Sequence, residues 1–278
     1  MSEFFDAADG RRIAYAVSGE GPAIFCLPGI SRTMVDYADL ARHLAPRHQV
    51  IRMDYRGRGA SGWAENPVAE YTPIVEGQDM MALAAHLGIE RGTIVGTSRG
   101  GIIGMLLAAG QPHFVSGLVL NDIGAVVERA GLEFIMTYIG LDPGLADFET
   151  AAARMKTNFS AAFPGLTEAD WMAFARRTYR DDGGRPALAY DPDLREATAV
   201  ALENSPPDLW KLFDAVQAPI LTLRGEHSNI LSAGTLAEMA RRRPDMTHLT
   251  IADRGHVPFL DEPEALSAID RFLLEVHA

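Results

Sequence analysis

Short apolar runs alternate with helical patterns along most of this chain. Residues 11–17 (RRIAYAV) predict a strand, and the apolar run 23–27 (AIFCL) ahead of Pro28-Gly29 predicts a second, fully buried one. Helix 34–45, strand 49–54, helix 73–87, strand 92–97, helix 99–110 and strand 116–121 follow in turn. That rhythm is the one βαβ units produce on a parallel sheet. It resumes late in the chain with strand 219–224, helix 232–242, strand 247–252 and an amphipathic helix over 261–275 that begins DEPEAL. The acids and Pro263 suit the first turn of that helix, where carboxylates meet the positive end of the dipole and proline lacks only an amide that has no partner anyway.

Between these two stretches, residues 124–205 carry helical patterns without a convincing strand and are punctuated by LDPG, FPGLTEAD, RDDGGRP and NSPPD. The pattern predicts a core built from 1–123 and 206–278, with 124–205 inserted as a helical cap. Thr167 followed by Asp170 matches a capping box with aspartate as the acid, which puts Trp171 and Phe174 on one helix face. The aromatics Phe134, Tyr138, Phe159, Phe163 and Trp171 would either line an apolar pocket or fill the cap's own small core, and the second role is favoured.

Composition narrows the classes. With 278 residues, 47% of them hydrophobic, the chain can bury a large core without disulfides or metals. A net charge of -12 repels phosphate backbones and anionic headgroups, so neither nucleic acid nor a membrane surface is the expected partner, and a small molecule is. The single cysteine, Cys26, sits in an apolar run and is read as a small buried hydrophobe. The first residues, MSEFFDAADGRR, lack the apolar stretch of a cleaved leader, and no run approaches a membrane span, so a cytoplasmic location is expected.

The chemistry enters with Gly96-Thr97-Ser98-Arg99-Gly100, a GxSxG sequence set between a predicted strand and an apolar helix. A nucleophile on so sharp a turn needs small neighbours, which Gly96, Gly100 and Gly101 supply, and the helix start aims amides at the same place. A serine hydroxyl is a weak nucleophile until a base takes its proton. Of eight histidines, His256 stands out, because it lies on the loop leaving the last strand at the carboxyl edge of the sheet, where Ser98 also falls. The segment Gly57-Arg58-Gly59-Ala60-Ser61-Gly62 satisfies GxGxxG, but Trp63 to Pro67 breaks into loop where a dinucleotide fingerprint needs a helix. No Walker A or HExxH sequence is present, so neither a metal nor an organic cofactor is called for.

Leu27-Pro28-Gly29-Ile30, the run Asp54 to Gly62, the Ser98 turn and Gly255-His256 occur in the order found in one family. Over nearly its full length the sequence resembles an α/β-hydrolase of the serine esterase and lactonase type. That resemblance implies an α/β-hydrolase fold: a mostly parallel central sheet flanked by helices, with a helical cap inserted after the sixth strand, here 116–121. It implies an oxyanion hole made by the backbone amides of Ile30 and Arg99. It also implies an acid in the loop after strand 219–224, yet the residue at that position is Asn229, and an amide cannot carry the charge. Asp122, at the end of strand 116–121, is the preferred substitute, since some members draw their acid from that strand end; Glu226, three residues before the usual position, is a weaker candidate.

The expected reaction is acyl transfer on small, fairly apolar carboxylic esters or lactones, since the cap is aromatic and shows no clear basic cluster. Two alternatives use the same residues: cleavage of a carbon-carbon bond in a diketone, and, because of Asn229, a ligand-binding pseudohydrolase. Haloalkane or epoxide chemistry would need an aspartate where Ser98 stands.

Overall fold

The computed structural model of the chain describes residues 2–203 and 209–277. Their central sheet contains β1 (Glu3–Asp6), β2 (Arg12–Ser18), β3 (Ala23–Leu27), β4 (Gln49–Met53), β5 (Gly92–Thr97), β6 (Val115–Asn121), β7 (Ile220–Gly225) and β8 (Thr247–Ile251). The strands lie in the order β1-β2-β4-β3-β5-β6-β7-β8. β1 and β2 pair antiparallel, as do β2 and β4, and every later pairing is parallel. β3, β5 and β6 are buried along their whole length, which is why they read as continuous apolar runs rather than alternating ones. Side chains from these strands divide between two cores, one on each face. Phe25, Ile94 and Leu118 go to one face, and Ile24, Val95 and Val119 to the other.

Two elements differ from the sequence pattern. β1 was absent from it: an edge strand of four residues that buries only Phe5 carries too little periodicity to register. The predicted helix 34–45 is a 3-10 turn, Met34–Tyr37, running into the α-helix Ala38–Leu44; the Asp54 carboxylate takes the Met34 amide at 2.7 Å. Helix Pro73–His86 starts where Thr72 accepts the Val75 amide ahead of Pro73, and Arg99–Gly110 and Pro263–Val276 fall close to the predicted spans.

The segment between β6 and β7 contains helices Arg129–Met136, Phe148–Phe159, Glu168–Thr178, Leu194–Glu203 and Leu209–Ala215. The Thr167–Asp170 capping box is formed in both directions. A strand pair, Tyr179–Asp182 with Arg185–Leu188, also occurs where no strand was expected. Gly183 and Gly184 both have positive φ, 64° and 91°, the backbone a two-residue hairpin turn demands. The flanking strands are four residues each and bury only Pro186, so they left no apolar signature. The NSPPD punctuation and the predicted boundary at 205/206 lie outside the described residues.

The glycine-rich run after β4 is a structural turn. Gly59 has φ 53°, and a Cβ there would lie 2.0 Å from Asp54 Oδ2. Asp54 accepts the amides of Met34 and Ala60, while Ser61 Oγ donates to the Asp54 carbonyl and accepts the Ala14 amide. Asp54 and Ser61 thereby tie together β2, β4 and the segment after β3. Cys26 is buried and unpaired, and burial pushes its thiol up to about 12.

Candidate active site

Ser98 ends β5 and opens helix Arg99–Gly110 with φ 51° and ψ -114°, a conformation rare for a residue with a side chain. The glycines around it permit the turn by their missing atoms. A Cβ on Gly96 would lie 2.4 Å from the Gly100 carbonyl oxygen, one on Gly100 would lie 1.9 Å from that of Leu27, and one on Gly101 would lie 2.2 Å from Ile123 Cγ2. Gly101 and Ile102 donate their amides to the Ser98 carbonyl, so the helix begins directly at the serine.

His256 approaches from the loop after β8. Its Nε2 lies 2.9 Å from Ser98 Oγ, and its Nδ1 lies 2.7 Å from Asp122 Oδ2. The loop is fixed at both ends. Asn121 donates its side-chain Nδ2 to the Pro258 carbonyl at 3.0 Å, and the Glu262 carboxylate accepts from the Phe259 and Leu260 amides and from Arg254. With Nδ1–H donating to a carboxylate, Nε2 presents its lone pair to the serine hydroxyl.

Asp122 is fully buried just past β6, with φ 56°. Its Oδ1 accepts the Gly225 amide at 2.8 Å; Oδ2 accepts the Ser228 hydroxyl at 2.6 Å as well as His256. Ser228 was not singled out by the sequence, and it carries no motif. Its hydroxyl also accepts the Ile230 and Leu231 amides, so it closes the loop after β7 onto Asp122. Arg224, bonded to the Leu231 and Glu226 carbonyls, braces the same loop.

The other candidates lie apart from the histidine. Asn229 is exposed, and the Nδ1 it would have served is taken by Asp122. Glu226 is exposed too and accepts the Asp253 amide at 3.2 Å. With His227 and Asp253, Glu226 forms a group of ligand-type atoms, all three side chains exposed. Ile30 lies on the turn after β3, next to Ser98: a Cβ on its neighbour Gly29 would be 3.9 Å from Ser98 Cβ. The Arg99 side chain turns away from the cleft, to Glu76 at 2.8 Å and to the Tyr71 carbonyl at 2.7 Å.

Ser98 and His256 open into a cavity of about 530 Å³, roofed by the segment between β6 and β7. Phe134, Tyr138, Phe159 and Phe163 line it; Phe134 and Tyr138 are exposed to it, whereas Phe163, 2% exposed, also belongs to the insertion's core and Phe159 packs against that core. Trp171, 1% exposed, does pack in that core. Where the sequence showed no basic cluster, Arg32, Arg154 and Arg177 share the lining, brought together from three distant segments. Arg32 is held by Asp36 through two bonds of 2.6 and 2.7 Å. Arg177 lies 3.6 Å from Asp261 and stacks over Phe259. Arg154 donates to the Pro143 carbonyl and, among the described residues, makes no ion pair.

Comparison with known proteins agrees with this architecture. A solved α/β hydrolase from Novosphingobium aromaticivorans superposes with a TM-score of 0.93 at 38% identity, covering 99% of this chain and 98% of the other. A 3-hydroxybutyrate-oligomer hydrolase from Cupriavidus necator is 33% identical over 274 residues, 94% of this chain and 92% of that protein. A 2-(acetamidomethylene)succinate hydrolase from Mesorhizobium japonicum is 27% identical over 257 residues, 92% and 89% of the two chains. Residues 22–263 match the model of the alpha/beta hydrolase fold, and the chain belongs to that family.

Proposed function

We propose that the protein is a serine hydrolase of carboxylic esters acting through an acyl-enzyme, with Ser98 as nucleophile, His256 as general base and acid, and Asp122 as the group that holds the histidine. The observation that carries this reading is the unbroken chain from Ser98 Oγ to His256 at 2.9 Å and on to the buried Asp122 at 2.7 Å. His256 takes the hydroxyl proton as Oγ attacks the carbonyl carbon, then returns it to the departing alkoxide; water repeats the sequence and releases the acid. The amides of Ile30 and Arg99 are the proposed donors to the oxyanion. One such donor is worth about 2.7–4 kcal/mol of barrier.

The segment between β6 and β7 acts as a cap that selects the substrate. Its aromatic lining suits a short apolar acyl or alkyl group. Arg154, which makes no ion pair among the described residues, adds positive charge to the wall, which suits an ester that also bears a free carboxylate. An oligoester of a short hydroxy acid has both features, and the 33% identical relative is named for hydrolysis of 3-hydroxybutyrate oligomers. The test is turnover of p-nitrophenyl butyrate and of 3-hydroxybutyrate dimer and trimer by the wild type and by Ser98→Ala. Hydrolysis that vanishes in the variant supports the reading; hydrolysis that survives it refutes Ser98 as the nucleophile.

A further inference from the structure

Resting on that functional reading, we propose that a buried cluster of Arg58, Glu76 and Arg99 positions the two oxyanion donors, with Arg58 as the positioning residue for the Ile30 amide. The turn after β3 is held at three successive carbonyls. Tyr55 donates its hydroxyl to the Pro28 carbonyl at 3.2 Å, the Arg32 amide donates to that of Gly29 at 3.1 Å, and Arg58 Nε donates to that of Ile30 at 2.9 Å. The middle carbonyl shares its peptide plane with the Ile30 N–H, so rotating that amide out of the site would break the Gly29 bond and strain the two beside it.

Arg58 is the unusual member, because both it and Glu76 are completely buried. Its Nη1 donates to the Arg56 carbonyl at 2.6 Å. Its Nη2 approaches Glu76 Oε1 at 2.8 Å off the N–H direction, an ion pair rather than a directed hydrogen bond. The rigid guanidinium fork therefore spans the turn after β3, the loop after β4 and helix Pro73–His86. The other Glu76 oxygen takes Arg99 Nε at 2.8 Å. One carboxylate thus holds Arg99 directly and Ile30 through Arg58.

Taking these groups out of water is expensive, and a well-packed apolar set could match their stability. What an apolar set could not do is fix a carbonyl and two side chains by direction. Two guanidinium groups on one carboxylate also leave a net positive charge behind the turn, favourable to a developing oxyanion. The same loop seats the cap: Gly59 donates its amide to the Ala189 carbonyl and Asp191 donates its own to that of Gly57, each at 2.7 Å.

The experiment compares Arg58→Met with wild type on a p-nitrophenyl ester and against a boronic acid transition-state analogue. A positioning role predicts unchanged near-UV circular dichroism, KM within about threefold, and kcat lower by roughly 10²–10³, the scale of one lost oxyanion donor. Boronate affinity should fall with kcat, while a non-covalent ester isostere binds as before. If Arg58→Met fails to fold, Glu76→Gln retains the shape and loses the charge, and a drop of about tenfold in kcat at constant KM is expected. A variant with kcat within threefold of wild type overturns the proposal, as does equal loss of isostere and boronate binding. Wild type that neither turns over esters nor is labelled at Ser98 by a fluorophosphonate overturns the functional reading itself, and this proposal with it.

Discussion

Asp122→Asn tests the third group with the least change of shape. The carboxylate accepts three donors, the Gly225 amide, the Ser228 hydroxyl and His256 Nδ1–H. An asparagine that keeps its oxygen toward Gly225 turns its NH₂ toward Nδ1, which must then accept, so the imidazole proton moves to Nε2 and the ring loses the lone pair that faces Ser98. The corresponding change in a serine protease triad costs about 10⁴ in turnover, or roughly 5.5 kcal/mol of barrier. An asparagine flipped the other way preserves the histidine contact but leaves the buried Gly225 amide without an acceptor, at a cost of about 1–3 kcal/mol in stability. The assay is steady-state hydrolysis of p-nitrophenyl butyrate beside a thermal melt: a loss in kcat of about 10³–10⁴ with KM nearly constant is expected. Loss below tenfold, together with a rate gain in Asn229→Asp, would show that the acid belongs at 229.

Other changes probe the framework. Gly100→Ala drives a Cβ to 1.9 Å from the Leu27 carbonyl oxygen, so β3 and the Ser98 helix must separate; a destabilisation of at least about 3 kcal/mol, read by urea titration, accompanies loss of activity. Trp171→Ala should cost about 3–5 kcal/mol because the side chain is 1% exposed in the insertion's core. The His48 and His277 rings lie 5.4 Å apart, tilted at 47°, and burial holds both imidazoles below the usual histidine range. The folded state then binds fewer protons than the unfolded one, so the contribution of the pair is complete above about pH 6.5 and is lost as pH falls below that toward the lowered folded-state range. Melting temperature measured from pH 7.5 to 5 should fall less steeply in the His48→Gln, His277→Gln double variant. Arg154→Ala should raise KM for the 3-hydroxybutyrate trimer while leaving that for p-nitrophenyl butyrate within twofold, a split seen in parallel initial-rate measurements.

The parts legible in the sequence are those whose constraint is local. Ser98 is marked by glycines on either side that the turn cannot do without, and β3, β5 and β6 by burial on both faces. Asp122 follows from the family resemblance, some members drawing their acid from that strand end, and the 24 residues from Ser98 leave room for one helix and one return strand. Residues that act across the fold left no such trace. Ser228 meets Asp122 from 106 positions away, and Arg58 meets Glu76 only because the loop after β4 folds against helix Pro73–His86. The hairpin at Gly183-Gly184 was hidden for a different reason: its strands are too short and bury too little to show an apolar alternation, so only the turn chemistry signalled it. The lining arginines come from three segments that the folded chain alone brings to one wall.

The central claim is that Ser98 is the nucleophile, and trapping it is the most direct measurement. Wild-type protein treated with a fluorophosphonate should gain the mass of one phosphonyl group, with fragmentation placing it on Ser98 and ester hydrolysis lost in proportion; Ser98→Ala should gain nothing. Continued ester hydrolysis by wild type with Ser98 unmodified, or an adduct on a different residue that abolishes activity, would contradict it.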